Sequence, residues 1–266
     1  MGWDEVWSEE ASLKFANWMS EIEALGNIKI RRCAALSHSR VELHTFVDAS
    51  QYAYAAVVYS RVKTQDEVIV SLLSAKSRLA PIQKKKPVTI PRLELLGCLI
   101  GSRLANSVKE ALRLKGVEEF YWTDSSTALA WIKRQEHWGT FVGNRTAEIG
   151  KLTNIENWRH VPGELNPADL PSRGCSPKEL MESKWWEGPE WLIGDPSQWP
   201  NYTPELNEEE IEQELRKTPA KSNMVVPEEQ PRFSRYLSNV KIFGWVWRFI
   251  ENSRKRKEYI EICHPC

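Results

Sequence analysis

The sequence predicts an α/β fold: a five-stranded mixed sheet, an antiparallel meander plus parallel crossovers, flanked by helices. Three observations carry this prediction. The stretches Val41–Asp48, Ala53–Ser60 and Val68–Ala75 are strand-like and joined by short polar links, which favour antiparallel neighbours. From Arg92 the pattern turns helical, with Leu93, Leu96, Ile100, Leu104, Val108 and Leu112 at three-to-four spacing. Val117–Trp122 and Glu156–Val161 then read as strands separated by helices over Thr127–Arg134 and Thr140–Leu152, and such alternation gives right-handed parallel crossovers.

A chain of 266 residues, 41% hydrophobic and 27% charged, has the composition of a globular protein with one sizeable core or two small ones. Lys plus Arg and Asp plus Glu both total 36, so net charge gives no argument for nucleic acid and any such case must come from local charge. The apolar run Ile242–Ile250 is about nine residues and contains Arg248, far short of the roughly 20 that span a bilayer. No membrane helix is expected. The acidic start M-G-W-D-E-V-W-S-E-E lacks the flank of a signal peptide, so an intracellular protein, cytoplasmic or nuclear, is expected. The five cysteines, Cys33, Cys98, Cys175, Cys263 and Cys266, are odd in number and read as free thiols rather than a disulfide framework.

Residues 3–25 hold Trp3, Val6, Trp7, Leu13, Phe15, Trp18, Met19, Ile22 and Leu25 at helical spacing, closed by Gly26-Asn27, which reads as an amphipathic docking helix. Ile28–Ala35 reads as an extended connection. In V-E-L-H-T-F-V-D-A-S, alternation predicts a half-buried strand that Asp48 stops, either as the start of a turn or as a functional acid. Arg61–Glu67 is a polar link, and Leu79–Pro91, with three prolines and Lys84-Lys85-Lys86, reads as a basic loop. Glu94 falls in the first turn of the long helix, off its apolar line, where the helix dipole alone would favour an acid. Thr123-Asp124-Ser125-Ser126 ends a strand and caps the next helix, so Asp124 has a capping reading too. In the helix Thr140–Leu152, the residues Phe141, Ala147, Ile149 and Leu152 are expected to point inward. Asn166-Pro167-Ala168-Asp169 predicts a helix start with Asn as cap, Pro at the first position and Asp169 at the third; Pro171 keeps the helix short.

Asp48, Glu94, Asp124 and Asp169 thus stand at strand ends or in first helical turns, where open sheets with crossover helices bind ligands. Four adjacent carboxylates would repel one another, and a divalent cation removes that repulsion. Oxygen-only ligation selects Mg²⁺ or Mn²⁺, and two such ions suit in-line displacement at a phosphodiester.

The wording F-V-D-A-S, R-L-E-L-L, W-T-D-S-S and N-P-A-D-L-P-S-R-G resembles the ribonuclease H domain of reverse transcriptases in long-terminal-repeat retroelements, and most closely the Bel/Pao group. S-A-K-S-R-L-A-P (74–81), I-P-R-L-E-L-L-G (90–97) and R-H-V-P-G (159–163) extend the likeness, which covers 41–175. K-W-W-E-G-P-E-W-L (184–192) and the W-V-W-R-F-I segment resemble the region C-terminal to that domain in those polyproteins. The resemblance implies a ribonuclease H-like fold whose Asp48, Glu94, Asp124 and Asp169 bind two Mg²⁺ (or Mn²⁺) ions and cleave the RNA strand of an RNA/DNA hybrid, recognised through 2′-hydroxyls. Ser50, Arg92 and Ser125 lie beside the acids as candidate substrate contacts, and Lys84–Lys86 as a phosphate contact. A reverse transcriptase polymerase region is the implied partner in the parent polyprotein. One departure stands out: cellular and retroviral members carry a mobile histidine in the loop before the last aspartate. Here that loop is Gly163-Glu164-Leu165, and His160 aligns with the preceding strand as a packing residue.

The expected organisation is a helical connection from an upstream polymerase region (1–40), a ribonuclease H-like domain (41–175), a Trp-rich satellite of the core (176–204), an acidic and polar linker (205–231) and a basic amphipathic helical tail (232–266). Cys263-His264-Pro265-Cys266 lacks a second ligand pair for zinc. No polymerase Tyr-x-Asp-Asp, aspartic-protease triplet or integrase core is present, so a piece of a larger element or a gene derived from one is expected. The competing reading is a catalytically inactive module of the same fold that binds nucleic acid or protein. A transposase or integrase nuclease is a third, but it orders its acids Asp, Asp, Glu, whereas here the Glu comes second.

Overall fold

Three antiparallel strands, β1 (Arg40–Ala49), β2 (Ala53–Lys63) and β3 (Val68–Leu79), open the domain in this computed structural model, which describes residues 6, 8–30, 40–65, 67–81, 88–134, 136–183 and 185–215. The helix α2 (Ile90–Ala111) then crosses to β4 (Glu118–Thr123), parallel to β1, and α3 (Ser126–Lys133) and α4 (Thr140–Leu152) lead to β5 (Trp158–His160), parallel to β4; two short helices, α5 (Asp169–Arg173) and α6 (Pro177–Ser183), follow. The strand order β3-β2-β1-β4-β5 is the mixed sheet expected of a ribonuclease H-like fold.

Several local expectations shift. β1 is buried on both faces from Leu43 to Ala49 rather than half-buried, because helices cover one side and a tryptophan-rich segment the other. The strand also runs through Asp48 instead of stopping there. Arg61 belongs to β2, not to a polar link, and is 2% exposed. Leu79 closes β3, while Ile90 and Pro91 open α2, where a proline needs no amide partner, so the basic loop is shorter than predicted. Lys84–Lys86 lie outside the described residues. In α4 the buried pair is Val142 and Ile149; Ala147 is exposed because five residues of helix rotate it well off the stripe that Val142 and Ile149 define.

Two layers enclose the sheet. Val47, Ala56 and Tyr121 face Leu93, Cys98, Ile100, Trp131 and Ile149 from α2, α3 and α4. Phe46, Tyr59 and Trp122 face Leu192, Trp199 and the partly buried Trp185 and Trp191. At the N-terminus α1 (Glu9–Glu21) buries none of its residues, and Leu13, Trp18 and Met19 stay largely exposed. Trp3, Trp7 and residues 31–39 lie outside the described residues, as does everything after 215. The first part of the expected linker is ordered as α7 (Glu208–Glu212), whose Ile211 is fully buried and whose carbonyl accepts from Trp131 Nε1 at 3.2 Å. Ile211 anchors the acidic run together with Leu215, which packs against the same cluster, and with the polar contacts of Glu208, Glu210 and Glu214. No helix among the described residues is long and apolar enough to cross a membrane. Cys98 and Cys175 are free thiols; the other three cysteines are outside the described residues.

Candidate functional site

Parallel pairing places the first two acids side by side. Val47 of β1 is in register with Thr123 of β4, so Asp48 and Asp124, the next residues of each strand, leave the sheet at the same level. Asp124 is not the cap of α3. That role falls to Ser125, whose hydroxyl accepts from Ala128 N at 3.0 Å, which leaves the aspartate free for other work.

Glu94 arrives from α2 because that helix lies unusually close to β1. A Cβ on Gly97 would stand 3.1 Å from the Asp48 carbonyl oxygen, and one on Gly101 would stand 2.4 Å from Val47 Cγ1. The glycine pair one turn apart allows the close approach that sets Glu94 beside Ser125, whose hydroxyl donates to its carboxylate. Asp169 comes from the opposite layer, on the short helix α5 (Asp169–Arg173). It is the first residue of that helix, not the third, because Asn166–Ala168 form a turn before it: Asn166 Oδ1 accepts from Ala168 N (3.1 Å) and the Asn166 carbonyl from Asp169 N (3.1 Å). Asn166 Nδ2 also donates to the Val47 carbonyl at 3.0 Å, fastening the turn to β1. From α5, Ser172 donates to Asp48 and Arg173 pairs with Asp169.

Asp48, Glu94 and Asp124 have carboxyls raised by burial and, secondarily, by neighbouring acid charge. Burial raises the Asp48 carboxyl, with Asp169 adding to the rise and Ser172 opposing it. Burial pushes Glu94 up to about 7, and the charges of Asp124 and Asp48 push the same way. Asp124 is also pushed to about 7 by burial, then by Asp48 and Asp169, and its Oδ1 is buried with no hydrogen-bond partner. As they stand, no three His, Cys, Asp or Glu side chains among the described residues converge closely enough to hold an ion. The donor set nevertheless fits a hard divalent cation: it is all oxygen, it carries an orphaned buried acceptor, and it is short of positive charge. Hydroxyls of Ser125 and Ser172 and the Arg173 guanidinium now engage oxygens that such an ion would take.

The neighbouring candidates hold structural bonds. Ser50 donates to the Ser172 carbonyl (2.8 Å) and accepts from Ala53 N (3.2 Å). The Arg92 guanidinium forms a two-pronged pair with Glu214 at 2.5 and 3.0 Å, and α7 also sends Glu210 to Thr127 Oγ1 at 2.6 Å. His160 sits in β5 with Nε2 3.1 Å from the Asp124 carbonyl oxygen. That contact makes it a packing residue beneath an acid, as its strand position predicts. Sequence reasoning missed Gly97, Gly101 and Ser172, and it gave Asn166 as a helix cap without its bond to the Val47 carbonyl; the glycine spacing in L-G-C-L-I-G was the available signal for the first two.

Residues 1–125 match the family described as "Pao retrotransposon-like RNaseH-like domain", a span that contains Asp48, Glu94 and Asp124. Among solved structures the chain is similar to the N-terminal RNase H domain of a Mycobacterium tuberculosis protein, at 14% identity and a TM-score of 0.35, covering 55% of this chain and 99% of that one. It is similar to LC11-RNase H1, from compost, in complex with an RNA/DNA hybrid (15%, TM-score 0.34, covering 53% and 99%). RNase H1 of the archaeon Halobacterium salinarum is a third (12%, TM-score 0.31, covering 54% and 98%). No curated protein matches the sequence.

Proposed function

We propose, for a chain whose residues 1–125 match the model of the Pao retrotransposon-like RNaseH-like domain, a metal-dependent endonuclease that hydrolyses the RNA strand of RNA/DNA hybrids. What supports the reading is that Asp48 and Asp124, brought level by the parallel pairing of β1 with β4, and Glu94 all carry carboxyls raised by burial first and by neighbouring acid charge second, with Asp169 on α5 adding its charge to Asp48 and Asp124. Asp48, Glu94, Asp124 and Asp169 would hold two Mg²⁺ or Mn²⁺ ions. Bound there, the pair supplies an activated water and charge neutralisation at the leaving oxygen.

The chain's own residues set the stage for that chemistry. Asp48 and Asp124, fixed by paired strands, define the floor of the site, while Glu94 and Asp169 close it from either layer. Ser125 and Ser172 hold Glu94 and Asp48 in place before an ion competes for the same oxygens. Asn166 fastens the turn that presents Asp169.

The test is cleavage of an end-labelled RNA/DNA hybrid with Mg²⁺, comparing the parent with Asp124→Asn. Loss of at least ~100-fold in rate is expected, the scale on which metal ligation and its supports matter. Hybrid bound by the parent without any cleavage would replace the enzyme with a binding module of the same fold, and the engagement of Arg92 by Glu214 is the feature that favours this second reading.

A further inference from the structure

Beyond the acid cluster, a cavity of about 630 Å³ lies at the outer side of β5. Its walls come from α3, from β5 and from residues 196–206, which include Trp199 of the tryptophan-rich layer. It begins beside the candidate active site: Ser126 lines it two residues after Asp124, and His160, another lining residue, contacts the Asp124 carbonyl.

Its charge and shape are specific. Lys133, Arg134 and Arg159 line it against one carboxylate, Glu156. Glu208 already holds Arg134 through two bonds of 2.7 and 2.6 Å, so that guanidinium is engaged. Lys133 and Arg159 have no carboxylate partner within ion-pair distance among the described residues. Arg159 instead lies over the Phe120, Trp122 and Trp199 rings, 4.9, 5.7 and 6.0 Å from their centroids, and remains exposed at the rim. Beside these cations stands Tyr202, 57% exposed, its ring 5.5 Å from that of His160. A free cationic pair with an open aromatic face is a combination that suits a phosphate joined to a base. A volume of this size lies in the range of small-ligand sites.

We infer that this cavity binds a nucleotide unit, phosphate at Lys133 and Arg159 and base against Tyr202, belonging to a single-stranded extension of nucleic acid that leads away from the acid cluster. The inference rests on the proposed hybrid substrate for its source, though not for its chemistry. Stacking of one base on an aromatic ring and one or two phosphate contacts would tighten binding by ~10-fold. The hybrid's duplex part would occupy the acid end of the sheet while its overhang runs along β5.

Binding of fluorescein-labelled hybrids, measured by anisotropy in EDTA so that no cleavage intervenes, tests this. A hybrid with a four-nucleotide overhang is expected to bind about tenfold tighter than its blunt counterpart. Tyr202→Ala and the double variant Lys133→Gln/Arg159→Gln should each remove that gain while leaving blunt-hybrid binding unchanged; all three side chains are largely solvent-facing, so the fold should stand. In a second arm adenosine monophosphate is titrated by calorimetry. Binding of the mononucleotide that depends on Tyr202, without an overhang gain, would keep the nucleotide site and assign it to a free nucleotide. Neither an overhang gain nor Tyr202-dependent mononucleotide binding overturns the inference. A chain that binds no hybrid but does bind the mononucleotide through Tyr202 would overturn the proposed substrate and leave this site standing.

Discussion

On one side of the sheet, α2, α3 and α4 bury leucines, alanines, isoleucines and Trp131 against Val47, Ala56, Tyr121 and Trp158; on the other, Trp122, Trp191, Trp199, Phe46 and Tyr59 stack around a buried charge network. Within that network Arg61 donates to Glu42 (2.9 Å) and to the Leu192 and Gly194 carbonyls (2.7 and 3.1 Å), and its guanidinium faces the Trp199 ring at 5.2 Å. Trp122 Nε1 can only donate, so His44 Nδ1, 3.2 Å away, must accept and the imidazole proton sits on Nε2, toward Glu42 at 3.5 Å. The helical side is held by close approach of backbones, which positions Glu94. The aromatic side is held by one arginine that ties β1, β2 and the tryptophan segment together. Removing a side chain should therefore hurt the aromatic side most, and adding one should hurt the helical side most.

Arg61→Met is the strongest way to break the comparison. It takes from the Glu42 carboxylate, 5% exposed, its closest guanidinium and leaves only the more distant Arg40 (3.7 Å) and His44 (3.5 Å), and the loss of one partner from a buried pair costs ~3 kcal/mol. Urea denaturation should show this drop, and the double variant Arg61→Met/Glu42→Leu should recover most of it. A small loss in the single variant would mean that the tryptophan segment is held by its rings alone.

Gly101→Ala tests the other side. Its added methyl would meet Val47 Cγ1 at 2.4 Å, so α2 must shift away from β1 at ~1–3 kcal/mol, offset by up to ~1 kcal/mol of better helix propensity. The net loss of stability is smaller than for Arg61→Met, but cleavage should fall with it because Glu94 rides on the displaced helix. Unchanged cleavage would show that Glu94 does not depend on the glycine contact.

Much of this architecture was legible because it obeys local rules. All five strands and the long helix show in period and turn chemistry, α4 falls on Thr140–Leu152, and four acids at strand ends and first turns were marked by position alone. What escaped was set by tertiary partners. Arg61 read as loop because a charged residue is ordinarily solvated, and its burial is made tolerable by the Glu42 carboxylate on the neighbouring strand and by the carbonyls of Leu192 and Gly194, more than a hundred residues on. Glu208–Leu215 read as linker because acid density outweighs one isoleucine in any window, whereas the pocket that buries Ile211 is built from α3 and α4. Arg92 beside an acid suggested substrate, and nothing local pointed to Glu214.

The acid cluster itself responds to pH in the opposite sense from the aromatic side. His44 is lowered to about 4 by burial, so it favours the folded state above the ordinary histidine value and that contribution is lost as pH falls toward 4. Glu94 and Asp124 are raised to about 7, so their contribution is full below the ordinary carboxylate range and is lost as pH rises through 7. Asp124→Asn removes one of the three raised carboxyls, Asp48 being the third. In EDTA its stability relative to the parent should match near pH 4 and exceed it by ~1–3 kcal/mol at pH 8, and added Mg²⁺ should close the gap by stabilising the parent.

Glu214→Gln is the mildest and the most specific probe. Glu214 pairs with the partly exposed Arg92, so the loss of stability should stay within ~1 kcal/mol. If Arg92 contacts a phosphate when hybrid binds, Glu214 competes with it, and the variant should bind hybrid more tightly with a steeper dependence on salt, because a freed guanidinium adds one phosphate contact. Weaker binding with an unchanged salt slope would instead make the Arg92–Glu214 pair a clasp that holds α7 against the helical layer, and would remove Arg92 from the substrate path.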